Sequence, residues 1–198
     1  LWNAEKGKNL LCSLYRRCRV ITIDEQFYIS MATSLAIVKA LKRFNIPRLH
    51  VKWPNDILSE QKKVCGILIE NVIKNSKLEA TIIGFGLNVN QTQFKGLPQA
   101  SSLRIITGKV YDIDEVLQVI IEDLKYYFDY IEKKQYAALQ DEYENLLFRK
   151  DKPSTFLDAE GHTFPGIIKG ITPRGNLIVL LEDEVLAEFE SKQIQLRY

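Results

Sequence analysis

The hydrophobic residues of this chain change period several times, and the changes divide it into elements. Between Asp24 and Phe44 apolar residues recur at helical spacing, at Phe27, Met31, Leu35, Val38 and Leu41. Asp24 is placed there as an N-cap, its carboxylate accepting from the first unpaired backbone N–H groups. Helical periodicity returns from Ile113 to Phe148, with Leu117, Ile120, Ile121, Leu124 and Phe128 on one stripe and Tyr136, Leu139, Tyr143 and Leu147 in a second segment. One long and one shorter helix are expected. Short runs rich in β-branched residues predict strands at Asn9 to Tyr15, His50 to Trp53, Lys63 to Glu70 and Leu78 to Val89. Pro54-Asn55-Asp56 should end the second of these, because proline cannot donate to a ladder and Asn-Asp favours a turn. The polar stretch Asn90 to Gln99, which contains Pro98, should be a loop. After Lys152-Pro153 short β-rich runs alternate with Gly161, Gly166, Gly170 and Gly175, predicting four or five strands in a meander. The expected fold class is α/β (α+β), with a mixed β-sheet packed with helices over residues 1–150 and a small β-barrel or sheet over residues 151–198.

Composition narrows the function classes. With 198 residues, 46% hydrophobic and 26% charged, the chain can bury a real core and has room for one full domain plus a small appendage. The 27 basic and 25 acidic residues leave a net charge of +2, too little to recruit nucleic acid or anionic lipid by a global field. No run approaches the ~18 consecutive apolar residues of a membrane span. Leu1 to Lys8 carry neither a basic leader nor an apolar signal core, so a soluble, cytoplasmic protein is expected. Cys12, Cys18 and Cys65 are an odd set without a Cys-x-x-Cys, which argues against a disulfide framework or a structural zinc site. His50 and His162 leave few candidates for a Ser-His-Asp triad, and with no histidine beside it Cys65 reads as a small core residue.

The candidate chemistry lies in three short segments. In the strand through Gly84-Phe85-Gly86-Leu87-Asn88, alternation points Gly84, Gly86 and Asn88 the same way, leaving one face bare and ending in an amide. Paired glycines inside a strand usually mark a bulge, or the close approach of a ligand or of another backbone. Lys52-Trp53-Pro54-Asn55-Asp56 ends a strand at a turn that presents an amide and a carboxylate side by side, and Lys63 opens the strand that follows. Each segment alone also fits a structural role: tight packing, an ordinary turn, a solvated lysine.

Together they are specific. Lys-Trp-Pro-Asn-Asp, then Lys-x-x-Gly-Ile-Leu, then Gly-x-Gly-x-Asn, in this order and spacing, resembles the catalytic domain of biotin protein ligases, biotin-[acetyl-CoA-carboxylase] ligases. The resemblance runs from Trp2 to the C-terminus, where the β-rich segment resembles the family's small barrel of the Src-homology-3 type. Such ligases also carry a Ser-Thr-Asn segment and a Gly-Arg-Gly-x-x-Gly loop, neither of which occurs in these 198 residues. The opening Leu1 is read as a sign that the natural sequence begins further upstream.

The resemblance implies a two-step reaction. Biotin and ATP give biotinoyl-5'-AMP and pyrophosphate, and the acyl group then passes to a lysine of a biotin carboxyl carrier protein domain. It implies Lys63 as the cation between carboxylate and α-phosphate and Asp56 as the group that orients and deprotonates the incoming amine. Lys63, Gly66, Gly84, Gly86, Leu11 and Ser13 would line the biotin slot. Trp2, Asn55, Asn88 and Arg197 would contact ATP, and Mg2+ is implied by the nucleotide, with its ligands unassigned. The acid-rich stretch from Asp114 to Glu144 reads as the wet face of two helices, where a carrier domain has room to dock. A homodimer is left open. The alternatives are a lipoate-protein ligase or octanoyltransferase relative, which would load a different acid, and a truncated, non-catalytic ligase fragment that only binds ligand or carrier.

Overall fold

A computed structural model describes residues 4–18 and 20–198, so Trp2 lies outside the described residues. The chain runs β1 (Leu10–Arg17), α1 (Phe27–Arg43), β2 (Leu49–Lys52), β3 (Asp56–Ser59), β4 (Lys62–Lys74), β5 (Lys77–Leu87), α2 (Leu103–Thr107), α3 (Ile113–Glu132) and α4 (Tyr136–Asn145). Then follow β6 (Pro153–Asp158), β7 (Thr163–Ile171), β8 (Leu177–Leu180), β9 (Leu186–Phe189) and β10 (Ile194–Arg197).

Two five-stranded sheets result, ordered β1-β5-β4-β3-β2 and β10-β6-β7-β8-β9. Every strand pair in both is antiparallel, so the first sheet is not mixed as expected; among the described residues parallel pairing occurs only in isolated bridges such as Val51 with Leu147. The reason is local. β2 to β5 follow one another through short turns rather than through crossover helices, and hairpin connections force antiparallel neighbours.

α1 is buried nearly all round, including Ile29, Met31, Leu35, Ile37 and Leu41, because it lies between the first sheet and the layer formed by α3 and α4. Its start differs from the expectation. Thr22 and Glu25 form a capping box around a single 3-10 turn, so Asp24 sits inside that turn instead of capping α1. Asp112 does cap α3, accepting from the N–H groups of Asp114 and Glu115. The acidic stretch is not all wet: Asp123 is 5% exposed and lies 3.6 Å from Lys39.

Candidate active site

The first sheet covers one face with α1 and leaves the other open. Leu11, Tyr15 and Leu68 stand on the open face at 59%, 65% and 59% exposure, while Leu10, Ile67 and Phe85 point to the helices. Register then sets a row straight across the five strands: Lys52 opposite Asp56, Asp56 opposite Gly66, Gly66 opposite Gly86, and Gly86 opposite Leu11. Opposed residues share a face, so a carboxylate stands beside two bare backbone positions. The next row repeats the pattern, with Gly84 between Ser13 and Leu68. A Cβ at Gly84 would come no closer than 3.4 Å, to the Leu68 carbonyl, so this glycine keeps the surface low without being forced by crowding.

Lys63 reaches this face only because of an irregularity. Ile57 pairs with Cys65 but Leu58 pairs with Lys63, so Val64 is an extra residue in β4, and both Val64 and Cys65 are buried. Strict alternation with the inward Cys65 and Ile67 would turn Lys63 inward too. The bulge puts it on the open face instead, where its Nζ lies 2.6 Å from Asp56 Oδ1. Its main chain is held on both sides, the Lys63 N–H donating to the Gln99 carbonyl at 2.7 Å and its carbonyl accepting from the Ser101 N–H at 2.9 Å. The turn that carries Asp56 is held as tightly, because the Asn55 carbonyl accepts from the Ile67 N–H at 2.8 Å and Asn55 Nδ2 donates back to the Ile67 carbonyl at 2.9 Å.

Beside this pair opens a cavity of about 570 Å3, lined by Lys52, Asp56, Lys63 and Asn88 from the first sheet and by Arg197 and Tyr198 from the end of the chain. Asn88, one residue beyond β5, is 3% exposed. Its Nδ2 donates to the Ser101 carbonyl at 3.0 Å, and its buried Oδ1 has no partner among the described residues. Burial lowers the pKa of Lys52 below the ordinary lysine range, with Asp56 opposing the shift and Lys63 adding to it. Burial likewise pushes the Cys65 thiol up, so it stays protonated and is no nucleophile.

The sequence-derived set is thus gathered in part. Lys63, Asp56, Asn88 and Arg197 meet at one cavity. Gly66, Gly84, Gly86, Leu11 and Ser13 form the adjoining open face rather than the cavity wall. Asn55 does not face the cavity; its amide is engaged with β4. Lys52 and Tyr198 are additions, Lys52 Nζ standing 4.8 Å from the centre of the Tyr198 ring. Lys52 was visible as the first residue of its motif, but Tyr198 is brought in by the tertiary fold alone.

An open antiparallel sheet with a low glycine floor thus ends in a lysine–carboxylate pair beside a cavity. Residues 1–88 match the model of the Biotin/lipoate A/B protein ligase family. The chain is similar to biotin protein ligases in sequence and in fold. It is 31% identical over 126 residues to the bifunctional ligase/repressor BirA of Bacillus subtilis, covering 61% of this chain and 38% of that protein. It is 29% identical over 160 residues to the biotin-[acetyl-CoA-carboxylase] ligase of Paracoccus denitrificans, covering 76% of this chain and 65% of that protein. The biotin protein ligase of Aquifex aeolicus in complex with biotin and ATP shares the fold with a TM-score of 0.79 and 24% identity, covering 96% of this chain and 78% of that one. The chain therefore spans well under half the length of the Bacillus relative.

Proposed function

We propose that this chain is the ligase portion of an ATP-dependent biotin-protein ligase that forms biotinoyl-5'-AMP and transfers biotin to a lysine of a biotin carboxyl carrier protein domain. The observation that carries the reading is the Lys63–Asp56 pair, set between a glycine-floored open face and a cavity holding a buried, unpartnered amide carbonyl.

In the first step a biotin carboxylate oxygen bonds to the α-phosphorus of ATP while the bond to the pyrophosphate oxygen breaks. Two anions must approach, and the Lys63 ammonium offsets their repulsion; a fixed charge of this kind contributes ~3–4 kcal/mol to such a step. Lys52 and Arg197 add positive charge along the same cavity. Asn88 Oδ1 accepts from an amino group such as the exocyclic amine of adenine. As the anions draw the ammonium away, Asp56 is released. In the second step the acceptor amine nitrogen bonds to the acyl carbon, AMP leaves with the electrons of the acyl C–O bond, and Asp56 takes the amine proton. The open face over Gly66, Gly84 and Gly86 takes the flat biotin bicycle, with Leu11 and Ser13 as one wall. Among the described residues lining the cavity the only carboxylate is Asp56, already paired with Lys63. That donor set does not fit a resident magnesium ion, and Mg2+ is assigned here only as the counter-ion that ATP carries. The division into a ligase domain over residues 1–150 and a small barrel of the Src-homology-3 type over residues 151–198 belongs to the same proposal.

Isothermal titration with biotin and then with ATP tests the reading. Heat with both, with pyrophosphate released only when both are present, is expected. Binding of lipoate or octanoate with no heat from biotin would overturn it.

A further inference from the structure

The two sheets touch the reactive turn from opposite sides. Trp53, the residue before Pro54-Asn55-Asp56, is 8% exposed, and its indole Nε1 donates to the carbonyl of Gly175 at 2.9 Å across 122 positions of sequence. Gly175 sits in the turn between β7 and β8, at a φ of +94°. That turn is closed on itself: the Gly175 N–H donates to the Thr172 carbonyl and the Thr172 N–H to the Asn176 carbonyl, both at 2.9 Å. It is also wedged against α1, since a Cβ at Gly175 would lie 2.3 Å from Phe27 Cδ2. The acceptor of the indole thus belongs to a buried glycine in a turn closed by its own hydrogen bonds and packed against Phe27, with little freedom to follow the first sheet if that sheet shifts.

Resting on the proposed ligase reaction, we infer that the β7–β8 turn fixes the position of the Asp56 carboxylate through the Trp53 indole, so that Trp53 is a positioning residue and the C-terminal sheet is part of the catalytic apparatus. Asp56 sits three residues beyond Trp53, on a turn already bonded to β4 by Asn55. Asn55 sets the turn against β4; Trp53 sets its tilt against the other sheet. Without the indole N–H the buried Gly175 carbonyl loses its donor, a cost that corresponds to about a tenfold or larger shift toward opening of the turn.

Trp53→Phe keeps a ring in the pocket and removes the donor. The Ile67 N–H, which donates to the Asn55 carbonyl, reports the turn without any need for activity. In Trp53→Phe its hydrogen exchange should quicken about tenfold, matching the lower end of that cost, and biotin transfer to a carrier should fall further than pyrophosphate release, with KM for ATP unchanged. The control is Gln140→Leu, which removes a bond of the same interface, from Gln140 Nε2 to the Ile171 carbonyl at 2.7 Å, and should leave Ile67 exchange as it was. Unchanged exchange in Trp53→Phe, or equal quickening in both variants, overturns the inference. If the wild-type protein shows no ligase activity while the exchange pattern is as expected, the positioning stands and the proposed reaction falls. Should Trp53→Phe not fold, the indole N–H of the wild type is the readout, and rapid exchange there overturns the inference directly.

Discussion

The two sheets have the same strand count and the same antiparallel pairing, yet they use glycine for opposite purposes. In the first, Gly84 has room for a methyl group, its nearest neighbour to a built Cβ being the Leu68 carbonyl at 3.4 Å. In the second, a Cβ at Gly166 would meet Val179 Cγ1 at 2.5 Å and Phe156 Cε2 at 3.3 Å. One glycine keeps a surface open and the other lets side chains of the neighbouring strands close over it. Sequence shows both as glycine within a β-rich run, and only packing separates a site from a seam.

The largest expected effect lies on the first sheet. Lys63→Ala should slow adenylate formation by about 10²–10³-fold, the loss of one preorganised charge, with thermal unfolding almost unmoved; pyrophosphate release measures it, and an unchanged rate would dissolve the functional contrast between the sheets. On the second sheet, Gly166→Ala overpacks the core and should lower stability by ~1–3 kcal/mol in denaturant titration, whereas Gly84→Ala should change the midpoint little and weaken biotin binding. Equal destabilisation by the two alanines would erase the distinction. Asn88→Leu removes the cavity acceptor and should raise KM for ATP about tenfold, as one lost hydrogen bond of ~1.4 kcal/mol would, with less effect on biotin.

The smallest effect concerns the tie between α4 and the second sheet. At Glu144 burial works against the carboxylate, but hydrogen bonds from Gln140, Lys150 and the Ile171 N–H outweigh it and hold the pKa below its ordinary value of 4.5. A depressed carboxylate stabilises the fold fully above its unfolded pKa and loses that contribution as pH falls through the folded value. Glu144→Gln should therefore narrow its stability gap to the wild type as the buffer is taken below pH 4.5, read by urea midpoints at several pH values. A constant gap would show that the charge is immaterial.

Period alone revealed α1, α3 and α4 and the meander after Pro153, because each buries one stripe or one face along a continuous run. β3 and α2 were hidden. Asp56–Ser59 is four residues directly after a proline turn and is made a strand by β2 and β4 on either side. Leu103–Thr107 is too short for a period and is set by the Ser102 cap. Within the site, the motif residues Lys63, Asp56 and Asn88 were legible by type and order. The row that joins Asp56 to Gly66 and Gly86 depends on register, and the contribution of Tyr198 on chain return, neither of which a linear pattern encodes.

Val64 makes the number of residues between Gly66 and the start of β4 odd where plain pleating would require the other parity. Pleating straight through that single valine would leave composition, motif order and net charge untouched, yet every residue before it would swap sides. The ammonium of Lys63 would then be driven toward the hydrocarbon beneath α1 while Lys62 took its place outside. The chemistry of this chain therefore depends on a count as much as on a residue type.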